Sequence, residues 1–243
     1  MRDLDRGTEA KLTFASGATS GPVWSPDGRR FACELRSGGR TQVMIGSVDG
    51  LGAVDTFAVE GLDAGVISQW SAAGSRLVYG PGSFTGVYRV SPDSANRAGV
   101  KVPGLPKVVG QPALSPDGRW LAYVTNEGTT SPQVYVQSLT GVPGRWQVST
   151  TAGVFPTWTR GGKELLFETN GTMTAVDVES QGTFRAGQPR PLFQLPLAIQ
   201  NPLERSWNCS EDGRRFFLLV PPRVSSRGGF EVVTDFNRLV KRK

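Results

Sequence analysis

Histidine is absent from all 243 residues. That excludes Ser-His-Asp and Cys-His nucleophilic catalysis, and zinc or copper sites built on imidazole. It also removes the side chain whose unperturbed pKa lies nearest neutrality. Carboxylate-only chemistry is left open. Cysteine is scarce: Cys33 and Cys209 are the only two. They occupy different places in the repeat described below, so a disulfide requires the two ends of the chain to meet, and two buried free thiols are expected instead. No apolar run approaches the roughly 18 residues of a membrane-spanning helix. The opening Met1-Arg2-Asp3-Leu4 carries no apolar signal core, so a secreted location would have to be encoded upstream. No long helical period appears either.

Other features are present in excess. Lys and Arg outnumber Asp and Glu by 27 to 21, for a formal charge of +6, and the stretch 238–243 holds four cationic residues. Without interleaved aromatics or a reader motif, that stretch reads as a solvated tail rather than a nucleic-acid arm. Glycine, at 31, and proline, at 17, sit mostly between short strand-like runs, as in an all-β chain.

The dominant pattern is a five-fold repeat. Trp24-Ser25-Pro26-Asp27-Gly28-Arg29-Arg30-Phe31 recurs as Trp70-Ser71-Ala72-Ala73-Gly74-Ser75-Arg76-Leu77, then as Leu114-Ser115-Pro116-Asp117-Gly118-Arg119-Trp120-Leu121. The fourth copy is Trp158-Thr159-Arg160-Gly161-Gly162-Lys163-Glu164-Leu165, and the fifth Cys209-Ser210-Glu211-Asp212-Gly213-Arg214-Arg215-Phe216. Successive glycines stand 46, 44, 44 and 51 residues apart. A period of roughly 40–50 residues made of short strands is the mark of a propeller blade. Each such sheet cannot bury both faces alone, and stacking makes the core.

In the first copy Gly21 to Trp24 forms an inner strand and Ser25 to Gly28 a reversal. Proline presets φ, aspartate bonds nearby backbone, and glycine takes the left-handed position. Arg30 to Leu35, Thr41 to Val48 and Val54 to Val59 then return as strands two to four. In the third copy, 119–125, 133–139 and 145–149 are read as strands; in the fourth, 164–169 and 173–178. The expected layout is the end of a preceding blade at 1–16, then blades at 17–61, 62–106, 107–152, 153–199 and 200–243. The expected class is all-β: a β-propeller of about five four-stranded blades, incomplete or open. Ala10 to Phe14 is the strand that would complete the last blade, were the ring closed.

Asp27, Asp117 and Asp212 recur at one position beside a glycine, which assigns them to turn stabilisation rather than to metal binding or acid–base work. Copies two and four lack the acid but keep Gly74 and Gly162, as a conformational requirement demands. Trp24, Trp70 and Trp158 read as wedges between stacked sheets. The out-of-register Ser91-Pro92-Asp93-Ser94, the Asp235-Phe236-Asn237 string and the glycosylation-like Asn170-Gly171-Thr172 and Asn208-Cys209-Ser210 are chance matches. No catalytic, cofactor or metal residue is assigned.

The phased Trp-Ser-Pro-Asp-Gly-Arg turns resemble the TolB-like propeller repeat, a bacterial relative of WD repeats, along essentially the whole chain. The stretch Leu4 to Phe14, leading into Pro22 to Gly28, looks like the exit from one such blade. Thr183 to Phe193, Asp212 to Leu218 and 230–241 are similar to the propeller region of bacterial eukaryotic-type serine/threonine kinases. No kinase motif is present here: a His-Arg-Asp loop is impossible without histidine, and no glycine-rich phosphate loop occurs. The resemblance implies a partial propeller from a longer protein, periplasmic or extracytoplasmic if its parent resembles the family. It implies a non-catalytic module for a protein partner or small extracellular ligand. The alternatives are an accessory domain of a kinase or a prolyl-oligopeptidase-type peptidase, and a propeller lyase. No Gly-x-Ser-x-Gly elbow is present, and propeller lyases of that kind rely on metal-binding histidines.

Overall fold

A computed structural model describes residues 9–13, 16–50, 54–58, 65–71, 76–81, 87–93, 97, 99–106, 110–140, 143–200, 205–220 and 231–233. They are all-β: two single-turn 3-10 segments, Arg160–Gly162 and Leu197–Ile199, are the helical exceptions among them. None is long and apolar enough to cross a membrane. The chain divides into two compact units, Met1–Pro112 and Ala113–Lys243.

The first unit carries two antiparallel sheets. One runs β1 (Ala18–Trp24), β2 (Arg30–Ser37), β3 (Arg40–Ser47), β4 (Asp55–Phe57), each strand beside its sequence neighbour. The other repeats that order with β5 (Gly65–Ser71), β6 (Arg76–Pro81), β7 (Tyr88–Val90) and β8 (Val100–Lys101). Alternation along β2 sends Ala32 to one face and Phe31, Cys33 and Leu35 to the other. Ala32, Val43, Ile45 and Phe57 pack with Ile67, Trp70 and Val90 of the second sheet. Phe31, Cys33, Leu35 and Met44 form a separate cluster, against which Leu12 rests.

The second unit holds three sheets. The first is β9 (Gly110–Leu114), β10 (Trp120–Thr125), β11 (Gln133–Ser138) and β12 (Arg145–Gln147). The next is β13 (Val154–Thr159), β14 (Glu164–Thr169) and β15 (Thr172–Glu179), edged by β16 (Arg185–Ala186) and β17 (Arg190–Gln194). The last is β18 (Trp207–Cys209), β19 (Phe216–Leu218) and β20 (Glu231–Val233). One apolar core runs through all three sheets. Phe184 is its hub: its ring lies 5.4 Å from Trp120, 5.4 Å from Trp146 and 6.4 Å from Trp158. Such tilted and edge-on aromatic pairs stabilise by roughly 0.5–1.5 kcal/mol beyond their buried area.

Several expectations are corrected. Residues 10–13 form no strand, the segment being held through Leu12 on the first sheet's apolar face. Phe14, the end of the strand that would close the ring, and residues 1–8 and 234–243 lie outside the described residues. The outer edge beside β15 is broken in two. β16 pairs with Val178 and Glu179, and β17 with Thr172 to Ala175. Gly187-Gln188-Pro189 interrupts it, because proline has no N–H for a ladder. Cys33 is buried and Cys209 half-buried; burial pushes both thiols up to about 11.

The inner strands are bulged. Register slips between Ser20 and Val23, Ile67 and Gln69, and Val154 and Thr157. Gly21 (φ 59°), Gln111 (φ 52°) and Phe155 (φ 57°), each four residues before the turn hydroxyl, take the left-handed region. For a residue as bulky as Phe155 that conformation costs on the order of 1–3 kcal/mol.

One buried glutamate ties its strand to the neighbouring sheet, and a second stands at the same repeat position. Glu34 in β2 accepts the Ile67 N–H of β5 (3.2 Å) and the Ser20 hydroxyl (3.4 Å), with Arg36 4.0 Å away. Glu168 in β14 holds the same repeat position, beside the Trp207 indole of β18. Burial raises the pKa of both carboxyls, against the opposing pull of these neighbours. A raised folded-state pKa means the folded chain holds the proton more tightly. The stability this gives is complete below the unfolded pKa of about 4.3 and is lost as pH rises through the folded value. Glu34→Gln keeps an acceptor for Ile67 but never ionises. Its melting temperature is therefore expected to exceed the parent's at neutral pH, and the gap should close on acidification to about pH 4. A gap independent of pH would refute the assignment.

Candidate interaction surface

Three of the reversals share one device. Ser25, Ser115 and Ser210 each stand at the start of a turn, and their hydroxyls donate to Asp27, Asp117 and Asp212 at 2.6, 2.6 and 2.5 Å. The same hydroxyl oxygen accepts an N–H five residues on, from Arg30 (2.8 Å), Trp120 (3.0 Å) and Arg215 (3.0 Å). Each aspartate then takes the N–H two residues ahead, from Arg29, Arg119 and Arg214, at 3.1, 3.1 and 3.0 Å. Gly28 (φ 68°), Gly118 (φ 72°) and Gly213 (φ 69°) close the turns in the left-handed region.

For Asp27 and Asp212 the serine hydroxyl first, and the backbone N–H second, hold the carboxyl below its usual range. At Asp117 burial pushes up, but Ser115, the Arg119 N–H and the Arg119 guanidinium together bring it down. In each of these acids Oδ1 takes both turn bonds, and in Asp117 the Arg119 guanidinium also binds Oδ2. Among the described residues no group of three or more Cys, Asp or Glu is placed to hold a metal ion.

Copy four builds the reversal differently. Arg160 (φ 51°), Gly161 (φ 66°) and Gly162 (φ 88°) all take positive φ. With no aspartate, the Thr159 hydroxyl donates to buried Glu164 (2.9 Å), which also accepts Arg190 (2.6 Å) and lies 3.7 Å from Arg160. In copy two, Ser71 is buried and Gly74 falls outside the described residues.

Trp70 and Trp158 are buried, at 5% and 8% exposure, whereas Trp24 stands 49% exposed. Trp70 lies among the first sheet's residues, under the Arg30 guanidinium (4.8 Å). The Trp158 indole donates to the Ala113 carbonyl (2.9 Å) of the sheet before it. Trp24 points away from Val23, the neighbour that packs toward the second sheet, and no described sheet precedes its own. The wedge expectation is therefore corrected at Trp24.

Within the second unit three turns meet. A Cβ on Gly162 would lie 3.3 Å from Pro116, and one on Gly213 3.0 Å from Glu164 and 3.3 Å from Thr159. The Arg160 N–H donates to the Glu211 carbonyl at 2.7 Å. Turns three, four and five therefore form one continuous surface. After turns one and three, residues hook the next sheet. Arg119 and the Trp120 indole both donate to the Ser180 carbonyl, at 2.6 and 3.2 Å, just past β15. In the first unit Arg30 forks onto Asp93 at 2.6 and 3.2 Å, just past β7. Sequence reasoning set Asp93 aside and did not single out the hydroxyl, although Ser25, Ser71, Ser115, Thr159 and Ser210 place one in every copy. That recurrence was the available signal.

Comparison with solved structures places this arrangement. The crystal structure of TolB from Acinetobacter baumannii superposes with a TM-score of 0.56 at 17% identity, over 79% of this chain and 48% of that one. The fold is TolB-like. The TolB candidate from Agrobacterium tumefaciens gives a TM-score of 0.60 at 16% identity, over 85% of this chain and 71% of that one. The chain thus spans about half the length of the first of these structures. No family model and no curated protein matches the sequence.

A Cβ at position 28 would meet nothing within 4 Å, so the only penalty there is conformational. Gly28→Val is expected to destabilise by about 1–3 kcal/mol in urea unfolding, and Asp27→Ala by less, because copy four reverses without an aspartate at that position. A larger loss from the aspartate than from the glycine would reverse this ranking.

Proposed function

We propose that this chain is a non-catalytic β-propeller module for interaction or ligand sensing, part of a larger bacterial protein. On this reading its sheets are blades of an incomplete or open array of about five. Trp24, Asp27, Gly28, Trp70, Gly74, Asp117, Gly118, Trp158, Gly162, Asp212 and Gly213 serve architecture rather than chemistry. The observation that carries the reading is the fused surface of turns three to five, where Pro116, Gly162, Arg160 and Glu211 are in contact. A rigid sheet scaffold presenting adjoining loops is a common way to build a recognition surface. Fold alone does not assign a partner. A protein partner or a small extracellular ligand fits, with an extracytoplasmic location as the family resemblance implies.

Site-specific photo-crosslinking in the native host tests this. A photoreactive residue at Glu211 or Arg214, exposed on the turn surface, is expected to capture a discrete partner. The same residue at Arg185 or Gln188, exposed on the outer edge, should capture none. Equal labelling at both places, or no adduct at the turns, would count against an interaction role for this surface.

A further inference from the structure

The residue directly after each turn glycine is basic in four of the five copies: Arg29, Arg119, Lys163 and Arg214. In the second unit the last two stand on adjoining turns. Gly213 and Glu164 touch, and Arg214 and Lys163 are their immediate chain neighbours. Arg215 follows, and all three cations are exposed. Four of the acids nearby are engaged. Asp117 binds Ser115 and Arg119, Asp212 binds Ser210 and the Arg214 N–H, and Glu164 binds Thr159 and Arg190. Asp177 lies 3.6 Å from Arg160. Lys163, Arg214 and Arg215 form no ion pair among the described residues, although both arginines lend their field to Asp212.

We infer that the surface of turns three to five docks an acidic protein segment, with Lys163, Arg214 and Arg215 receiving its carboxylates. The inference rests on the interaction reading above and names the partner's chemistry. Guanidinium and ammonium groups so placed steer and register an oppositely charged partner. The interspersed acids decide the class of partner. Exposed Asp117, Asp177, Glu211 and Asp212 share the surface with the cations, so the evenly charged backbone of a nucleic acid or an anionic lipid surface would meet repulsion between its contacts. A peptide with separated carboxylates avoids them.

The probe is a labelled peptide of alternating Glu and Ser, about a dozen residues long, followed by fluorescence anisotropy at low salt, where surface charges are least screened. Its Gln-for-Glu counterpart and a thymidine oligonucleotide of equal length serve as comparisons. The acidic peptide is expected to bind. Lys163→Glu with Arg214→Glu should weaken it by about tenfold or more. Arg145→Glu with Arg185→Glu, an equal charge change on the outer strands β12 and β16, should leave it unaltered. Lys163→Gln with Arg214→Gln, which adds no repulsion toward Asp212, must move binding in the same direction as the first pair, with melting unchanged. The inference is overturned if the acidic peptide does not bind, if both charge-reversed pairs bind alike, or if the oligonucleotide binds more tightly than the peptide. Crosslinks from the turn surface to a partner with no acidic segment would also overturn it, while leaving the interaction role intact. Loss of both peptide binding and turn-surface adducts would remove both readings.

Discussion

A serine hydroxyl that donates to an aspartate two residues ahead and accepts an N–H five residues ahead sets the geometry on which the sheets depend. With Ser25, Ser115 or Ser210 holding both ends, each reversal has one size, and glycine supplies the left-handed step that closes it. The residue at the end of the bracket begins the second strand with its side chain already aimed. Arg30 forks onto Asp93, and Trp120 donates to the Ser180 carbonyl. One local hydrogen-bond cycle thus fixes a hairpin and, through it, a seam between sheets.

The fourth copy keeps only the donating half of this cycle, and builds it from other letters. Thr159 keeps the hydroxyl and Glu164, five residues on, supplies the carboxylate that aspartate supplies elsewhere. Because Glu164 is buried and also binds Arg190, the fourth turn is tied to its own sheet's outer edge as well as to the fifth turn. This is the place where three turns become one surface. Burial there also makes the carboxylate unavailable to a ligand, so the proposed recognition falls to the cations around it.

Much of the strand layout was legible because period-two alternation and turn chemistry are local. The strands read at 30–35, 119–125, 133–139, 164–169 and 173–178 fall on β2, β10, β11, β14 and β15 to within a few residues. What was not legible depends on distant residues. Trp24 and Trp70 are the same letter at the same repeat position, yet one is half exposed, because cover comes from the sheet before it. The left-handed φ of Gln111 and Phe155 has no residue signature, since the bulge is imposed by pairing and packing. Glu34 and Glu168 looked like ordinary strand residues, and their burial follows from the neighbouring sheet. The shared hydroxyl was visible in every copy, but its weight appears only once its two partners are seen.

Amide hydrogen exchange at Trp120 tests the central claim most directly, because that N–H is bound by the Ser115 hydroxyl rather than by a sheet carbonyl. In the parent the Trp120 amide is expected to be protected, as are those of Arg30 and Arg215. In Ser115→Ala the Trp120 amide should lose protection and the Ser180 hook should loosen with it, while Arg30 and Arg215 keep theirs. Unchanged protection of Trp120 in that variant would contradict the account.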